Sequence, residues 1–194
     1  MAESLSRAGA RVMGIDPAAS AINVAQTHAQ SAGLSIDYRV GRGESLPLDD
    51  GSVDVVVCVD VLEHIPAWPK VLREIHRVLK PGGVFLFDTI NRSWFSKFIA
   101  IVLGEYVLRI LPVGTHDGRL FIKPSELRHE LSALGFELMP FVGLGPIGFN
   151  RRLDILFGRL PSTAVMYMGG ARKASPPSGA VLEHDGSTRL QSSR

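Results

Sequence analysis

The stretch Asp54–Thr89, DVVVCVDVLEHIPAWPKVLREIHRVLKPGGVFLFDT, decides the fold of this chain. A near-continuous apolar run, Val53–Val59, overlaps the start of this stretch and is typical of a strand buried on both faces of a parallel sheet. Apolar residues then recur at helical spacing over Pro69–Lys80, and a Gly-Gly pair ends that helix. Val84–Thr89 is the next buried strand. The stretch therefore predicts a strand-helix-strand unit.

A second strand-helix-strand unit precedes this one along the chain. A short strand ends at Asp16, a helix follows it, and Leu34–Val40 forms the next strand. Two such units in succession predict an α/β fold with a Rossmann-like, doubly wound parallel sheet and right-handed crossovers. Further along, Gly135–Val142 and Thr163–Met168 are predicted to be two closing strands.

Composition narrows the class of protein. The chain has 194 residues, of which 45% are hydrophobic and 21% charged, as in an ordinary globular domain. Its net charge of +2 and scattered basic residues argue against a nucleic-acid partner. One cysteine, Cys58, excludes an internal disulfide framework and favours a reducing, cytoplasmic location. We expect a folded domain over residues 1–172 and, because Ser, Pro and Gly dominate afterwards, a disordered tail over residues 173–194.

Asp16 stands at the carboxyl end of its strand, directly before a helix. A carboxylate at this position hydrogen-bonds ribose hydroxyls in dinucleotide-type folds, but it equally suits a helix N-cap. Both roles remain open from the residue alone. In such folds a glycine-rich phosphate loop precedes the acidic residue by about 20 positions. Counting back that far passes Met1, so we expect an N-terminally truncated fold that lacks its first strand and glycine loop.

Four motifs in order carry a resemblance to a known family. They are Val12–Asp16, Val53–Val59, Leu62–His64 and Leu79–Gly83. Together they resemble the class I S-adenosylmethionine-dependent methyltransferases. A narrower set, residues 89–92, 104–109, 112–117 and 121–127, is similar to the ubiquinone-biosynthesis O-methyltransferases.

The resemblance implies a seven-stranded sheet, S-adenosylmethionine as cofactor, and O-methylation of a phenolic or catechol quinone precursor. Two alternatives stay open: a methyltransferase of the same fold for another small molecule or lipid, and a non-catalytic, truncated remnant. The missing first strand would lie between the strands that end at Asp16 and Asp60. Unpaired backbone groups on both neighbours are costly when buried. We therefore expect a chain that is unstable, or that binds S-adenosylmethionine weakly at best.

The resemblance also implies which residues contact the cofactor. Asp16 becomes the ribose ligand, with Gly14 beside it. The loop after the third strand of the family fold lies near the adenine, and Val59 contacts the cofactor at the end of the next strand. The implied cofactor residues are Asp16, Gly14, Arg42, Gly43, Glu44 and Val59.

Asp60, Glu63 and His64 are the candidates for chemistry on the acceptor. A phenol must lose its proton before methylation, which needs a base or a metal. The spacing i, i+3, i+4 places all three on one side if the segment is a helical turn. The resemblance assigns these positions to a metal, and carboxylate ligands favour Mg²⁺. In the alternatives, Glu63 and His64 are catalytic with His64 as general base, or they only order the loop.

Trp94–Leu111 is the second functional candidate. Apolar residues line one face of this predicted helix at helical spacing: Phe95, Phe98, Ile99, Val102, Tyr106 and Ile110. Core packing is one interpretation. Because the implied phenol substrate carries a prenyl tail, the other is a lid that lies on a membrane surface. That interpretation predicts peripheral contact with the inner face of a membrane.

Overall fold

The computed structural model of the chain describes residues 1–94, 117–150 and 155–175. Four helices are present among them: α1 (Ala2–Arg7), α2 (Ala19–Ser31), α3 (Trp68–Val78) and α4 (Pro124–Ala133). The strands are β1 (Met13–Asp16), β2 (Asp37–Val40), β3 (Val53–Cys58), β4 (Leu79–Ile90), β5 (Phe136–Leu138), β6 (Val142–Phe149), β7 (Ile155–Leu160) and β8 (Met166–Lys173). A single 3₁₀ turn, Leu62–His64, follows β3.

The strands form two separate sheets. β1 and β2 pair in parallel, with Met13 opposite Asp37 and Asp16 opposite Val40. The second sheet has the order β3-β4-β8-β6-β7, with β5 also paired to β8. β3 and β4 are parallel, whereas the other pairs in this sheet are antiparallel. The predicted α/β class is confirmed, but the described strands form two sheets and not the single seven-stranded sheet that the resemblance implied.

Several predicted boundaries were wrong. The strand predicted over Gly135–Val142 is two strands, because β5 ends at Leu138 and β6 starts at Val142. β7 was not predicted at all. The helix predicted to reach Lys80 ends at Val78, because the fully buried Leu79 pairs with Val53 and enters the sheet. A residue before proline, as Lys80 is, also disfavours helical backbone.

The predicted tail boundary falls inside β8. The Lys173 ammonium donates to the backbone carbonyls of His76 and Leu79, at 2.6 and 2.8 Å, which attaches the end of β8 to the α3–β4 junction. Residues 176–194 lie outside the described part of the chain. Nearly all of Trp94–Leu111 does too, so the predicted lid stays a prediction. Among the helices that are described, none is long and apolar enough to cross a membrane.

One face of the β3–β4 pair builds the core. Side chains opposite each other in the register share a face, and successive residues alternate between faces. Val56 is opposite Phe85, and Cys58 is opposite Phe87. These side chains pack against apolar residues of α3 and α4, including Leu72, Ile75, Leu127 and Leu131. On the other face, Val55 is 51% exposed and Leu86 is 42% exposed.

Arg77 on α3 holds the loop that joins the two sheets. Its guanidinium donates to the carbonyls of Leu46 and Leu48, at 3.1 and 2.8 Å, and to carboxylates of Glu74 and Asp50. Glu74 in turn accepts from the backbone N–H of Leu46 at 2.9 Å. This polar cluster fixes the loop after β2 against α3, and so positions β1 and β2 relative to β3.

Candidate active site

The carboxyl ends of β3 and β4 bring a group of acidic side chains together. Asp60 follows β3 with a positive φ of 53°, a left-handed conformation that Asp tolerates better than most residues. Its backbone N–H donates to Oδ1 of Asp88 at 2.8 Å. Asp88, near the end of β4, therefore fixes the direction in which the chain leaves β3.

The 3₁₀ turn sends Glu63 and His64 in different directions. Glu63 is only 2% exposed, and its Oε2 accepts a hydrogen bond from the buried Thr89 hydroxyl at 2.7 Å. His64 is exposed. The segment is a 3₁₀ turn over Leu62–His64, not the regular helical turn on which the prediction of a common side for Asp60, Glu63 and His64 depended.

Burial sets the protonation behaviour of Asp88 and Cys58. Loss of solvation raises the pKa of Asp88 to about 6, with further contributions from the neighbouring carboxylates of Asp60 and Glu63. The hydrogen bond from the Asp60 N–H acts in the opposite direction. Burial likewise raises the pKa of the Cys58 thiol to about 12. Since the thiolate is the reactive form, Cys58 is a packing residue, whereas Asp88 changes charge close to neutral pH.

The predicted metal site is not formed. Across the described parts of the chain, no three His, Cys, Asp or Glu side chains are arranged to hold a metal ion. Glu63 is buried and bonded to Thr89, and His64 lies on the exposed side of the turn. The residues present therefore do not fit the predicted Mg²⁺.

Asp16 orders the turn that joins β1 to α2, whereas the N-cap of α2 is Ala18, and the role of Asp16 as a ribose ligand stays a prediction. Its Oδ1 accepts a hydrogen bond from the Ala18 backbone N–H at 2.8 Å, next to the start of α2. In the described residues Oδ2 has no hydrogen-bond partner. One oxygen thus orders the strand-to-helix turn, while the other remains available to a ligand hydroxyl.

The glycines predicted to contact cofactor have packing roles in the structure. A Cβ on Gly14 would lie 2.5 Å from the Tyr38 ring on β2, so the ring can occupy its position only because residue 14 has no side chain. A Cβ on Gly43 would meet Val71 of α3 at 3.3 Å. The other predicted residues lie nearby: Arg42, which is exposed, and Glu44 and Val59, which are partly buried.

Motif residues after β4 hold the end of the strand in place. Arg92 forms an ion pair with Glu126 on α4. Asn91 donates to the Thr163 carbonyl at 2.8 Å, and the Ser93 hydroxyl donates to the Ala164 carbonyl at 2.7 Å. The two motifs that include Arg92 and Glu126 are thus linked by direct contact.

Sequence reasoning missed Asp88 and Tyr167. Asp88 stands at the end of an apolar strand next to the one that ends at Asp60, and that adjacency was the available signal. Tyr167 is fully buried on β8, and its hydroxyl donates to the Ile122 carbonyl at 3.1 Å. Burial and the nearby Glu63 raise its pKa. No local pattern marks Tyr167, because its neighbours come from distant parts of the chain.

The fold is that of the SAM-dependent methyltransferases. A solved structure of a SAM-dependent methyltransferase from Methanosarcina mazei is similar to this chain with a TM-score of 0.65 and 22% sequence identity. The likeness covers 91% of this chain and 88% of that one. A sequence family described as a methyltransferase domain also matches residues 1–87.

Relatives with higher sequence identity define the class of methyltransferase more narrowly. A ubiquinone biosynthesis O-methyltransferase from Chromobacterium violaceum is 38% identical over 175 residues, which cover 90% of this chain and 74% of that protein. One from Burkholderia thailandensis is 39% identical over 145 residues, or 74% of this chain. The chain belongs to the ubiquinone biosynthesis O-methyltransferase family. It spans 62% of the length of the Burkholderia relative.

Proposed function

We propose that this chain carries out, or forms the main part of, S-adenosylmethionine-dependent O-methylation of a phenolic quinone precursor. The observation that carries the proposal is the 38% identity to a ubiquinone biosynthesis O-methyltransferase over 90% of the chain. The acidic residues at the carboxyl ends of β1, β3 and β4 support it, because ligands bind at this edge of open α/β sheets.

In this proposal Asp16 holds the cofactor through its ribose. The Oδ2 atom accepts from a ribose hydroxyl while Oδ1 keeps its bond to Ala18. When bound, S-adenosylmethionine supplies an activated methyl group. The chain's residues then act mainly by orientation, because holding two reactants in line contributes on the order of 7–11 kcal/mol to such a reaction.

Removal of the phenol proton is assigned to His64, which is exposed next to the acidic group. Glu63 orients the turn that carries His64, since its carboxylate is buried against Thr89. Asp88 supports the same turn through the Asp60 N–H. No step of this proposal uses a metal, because the described residues are not arranged to hold one.

Binding of S-adenosylhomocysteine tests the cofactor site. Asp16→Asn keeps an oxygen for the Ala18 N–H but loses the second acceptor. A hydrogen bond to a charged group contributes about 1.5–3 kcal/mol, so we expect at least about tenfold weaker binding by calorimetry. Asp54→Asn, an exposed carboxylate on β3, is the matched control and should bind normally.

Equal binding by both variants would remove Asp16 from the site. No heat with any variant, the parent chain included, would favour the non-catalytic remnant. If cofactor binds, an acceptor screen decides between the two enzymatic functions. Methyl transfer to a demethylated quinol supports the proposal, and transfer only to unrelated phenols, amines or lipids favours a methyltransferase for another small molecule.

Contact with a membrane belongs to the same proposal. A prenylated phenol resides in a bilayer, and Trp94, at the start of the predicted lid, is 80% exposed. Changing Phe95, Phe98 and Ile99 to Ser should lower the fraction of protein that floats with anionic liposomes several-fold, because apolar side chains drive interfacial binding. Val24→Ser, an exposed apolar residue on α2, is the control. Unchanged flotation of the triple variant would contradict membrane contact.

A further inference from the structure

A cleft lies between the start of α3 and the exposed side of α4. It has a volume of about 320 Å³, and its lining consists of Trp68, Ser125, Glu126, His129 and Glu130. Small-molecule pockets begin at about 300 Å³, so this cleft has room for one small group. Ser125 and His129 are exposed, so a side chain on the surface of another protein can reach it. None of the five residues is assigned to the cofactor or to the acceptor.

Trp68 forms a fixed aromatic wall of the cleft. The residue begins α3 and is partly buried, because its side chain packs against the hydrophobic core. The same side chain lines the cleft. A ring that the core already holds in place loses little freedom when a ligand contacts it. The indole of Trp also attracts cations more strongly than the rings of Tyr or Phe do. This wall is therefore suited to a planar cation.

The carboxylate of Glu130 lines the cleft without a counter-ion. Within the described residues it takes part in no ion pair and no side-chain hydrogen bond. Glu126, one turn earlier, has the same charge and forms its ion pair with Arg92. Arg128 is engaged elsewhere, with its Cζ 3.9 Å from the centroid of the Phe141 ring. Like charges at this spacing, and an acidic residue in the last turn of a helix, are both unfavourable. A cation bound in the cleft would relieve both.

We propose that this cleft binds the guanidinium group of an arginine side chain on a partner protein. The planar group stacks on the Trp68 indole and donates hydrogen bonds to the Glu130 carboxylate, and the Ser125 hydroxyl is a further acceptor. Arginine suits this site better than lysine, because its guanidinium is planar, weakly hydrated and able to donate two parallel hydrogen bonds to one carboxylate. Trp and Arg are also enriched among the residues that dominate protein–protein binding energies. The proposal concerns partner binding and does not rest on the proposed function.

Titration of the whole chain with N-acetyl-arginine amide tests the proposal. N-acetyl-citrulline amide is the matched probe, because it has nearly the same shape but no charge. The chain has two tryptophans, so the indole N–H signals of Trp68 and Trp94 report separately in a ¹⁵N-labelled sample, and Trp94→Phe assigns them. We expect the arginine probe to shift only the Trp68 signal, with a Kd on the order of millimolar. The citrulline probe should bind at least about tenfold more weakly, since it lacks the charged hydrogen bond.

A peptide probe checks that the group can come from another protein. Acetyl-Gly-Gly-Arg-Gly-Gly-amide should bind at least as tightly as the single residue, because the cleft is open at the surface. Binding of the single residue without binding of the peptide would overturn the proposal, since the cleft would then be a small-molecule site.

Two substitutions check which carboxylate the probe contacts. Glu130→Gln keeps the shape of the side chain and should weaken binding of the arginine probe by about tenfold. Glu137→Gln, which removes an exposed carboxylate on β5, is the control and should leave binding unchanged. An unmoved Trp68 signal, equal binding of the citrulline probe, or insensitivity to Glu130→Gln would overturn the proposal. These measurements need neither cofactor nor acceptor, so this proposal and the proposed function can fail independently.

Discussion

Phe85→Ala is expected to lower the free energy of unfolding by about 3–5 kcal/mol, as large-to-small substitutions of buried aromatic residues do. Phe85 is fully buried at the centre of the core. Its ring lies 5.1 Å from the Phe87 ring and 6.4 Å from the Phe136 ring, between centroids. Removing it leaves a cavity that β4 and α4 cannot close without moving the sheet. Urea denaturation followed by circular dichroism measures the change.

Leu86→Ala is the control for the position in the strand. Leu86 is the next residue of β4 but lies on the open face and is 42% exposed. Its substitution should cost about 1 kcal/mol or less, since little apolar surface is removed from contact. Similar losses for the two variants would mean that the two faces of β4 are buried alike, against the structure.

Asp88→Asn is expected to stabilise the chain above pH 6 and to flatten its pH dependence. The pKa of Asp88 is raised from 3.8 to about 6 in the folded state. Between these values the folded state holds more protons than the unfolded state, so stability falls as pH rises. The loss of stability from ionising Asp88 is absent below pH 3.8 and complete above about pH 6. At pH 8, Asp88→Asn should therefore raise the free energy of unfolding by on the order of 1–3 kcal/mol.

The amide of the Asn variant can still accept from the Asp60 N–H, so the turn after β3 should keep its shape. Free energies of unfolding measured at pH 4 and at pH 8 compare the chain with Asp88 protonated and with Asp88 ionised. Asp54→Asn, whose carboxylate is largely exposed in an ion pair with Lys80, should show no such change. If the parent chain gained stability relative to Asp88→Asn between pH 4 and pH 8, that result would contradict the direction of the pKa shift.

In the candidate site, the positions of the residues along the chain could be predicted from local sequence, but the directions of their side chains could not. Asp60, Glu63 and His64 were correctly placed at the end of β3, because strand ends can be predicted from apolar runs. Their directions were not, because a 3₁₀ turn and a left-handed residue at Asp60 replaced the regular helical turn. The partner of Glu63, the Thr89 hydroxyl, comes from the neighbouring strand.

The sequence by itself determined the α/β class, the two strand-helix-strand units and the family. These follow from the period of apolar residues and from short motifs, which are local properties of the chain. Only the tertiary structure decided that Glu63 is buried against Thr89, that Asp88 joins the acidic group, and that Gly14 and Gly43 serve packing. Each of these depends on burial and on residues from distant strands, and it is burial that raises the pKa of Asp88 and separates Glu63 from His64.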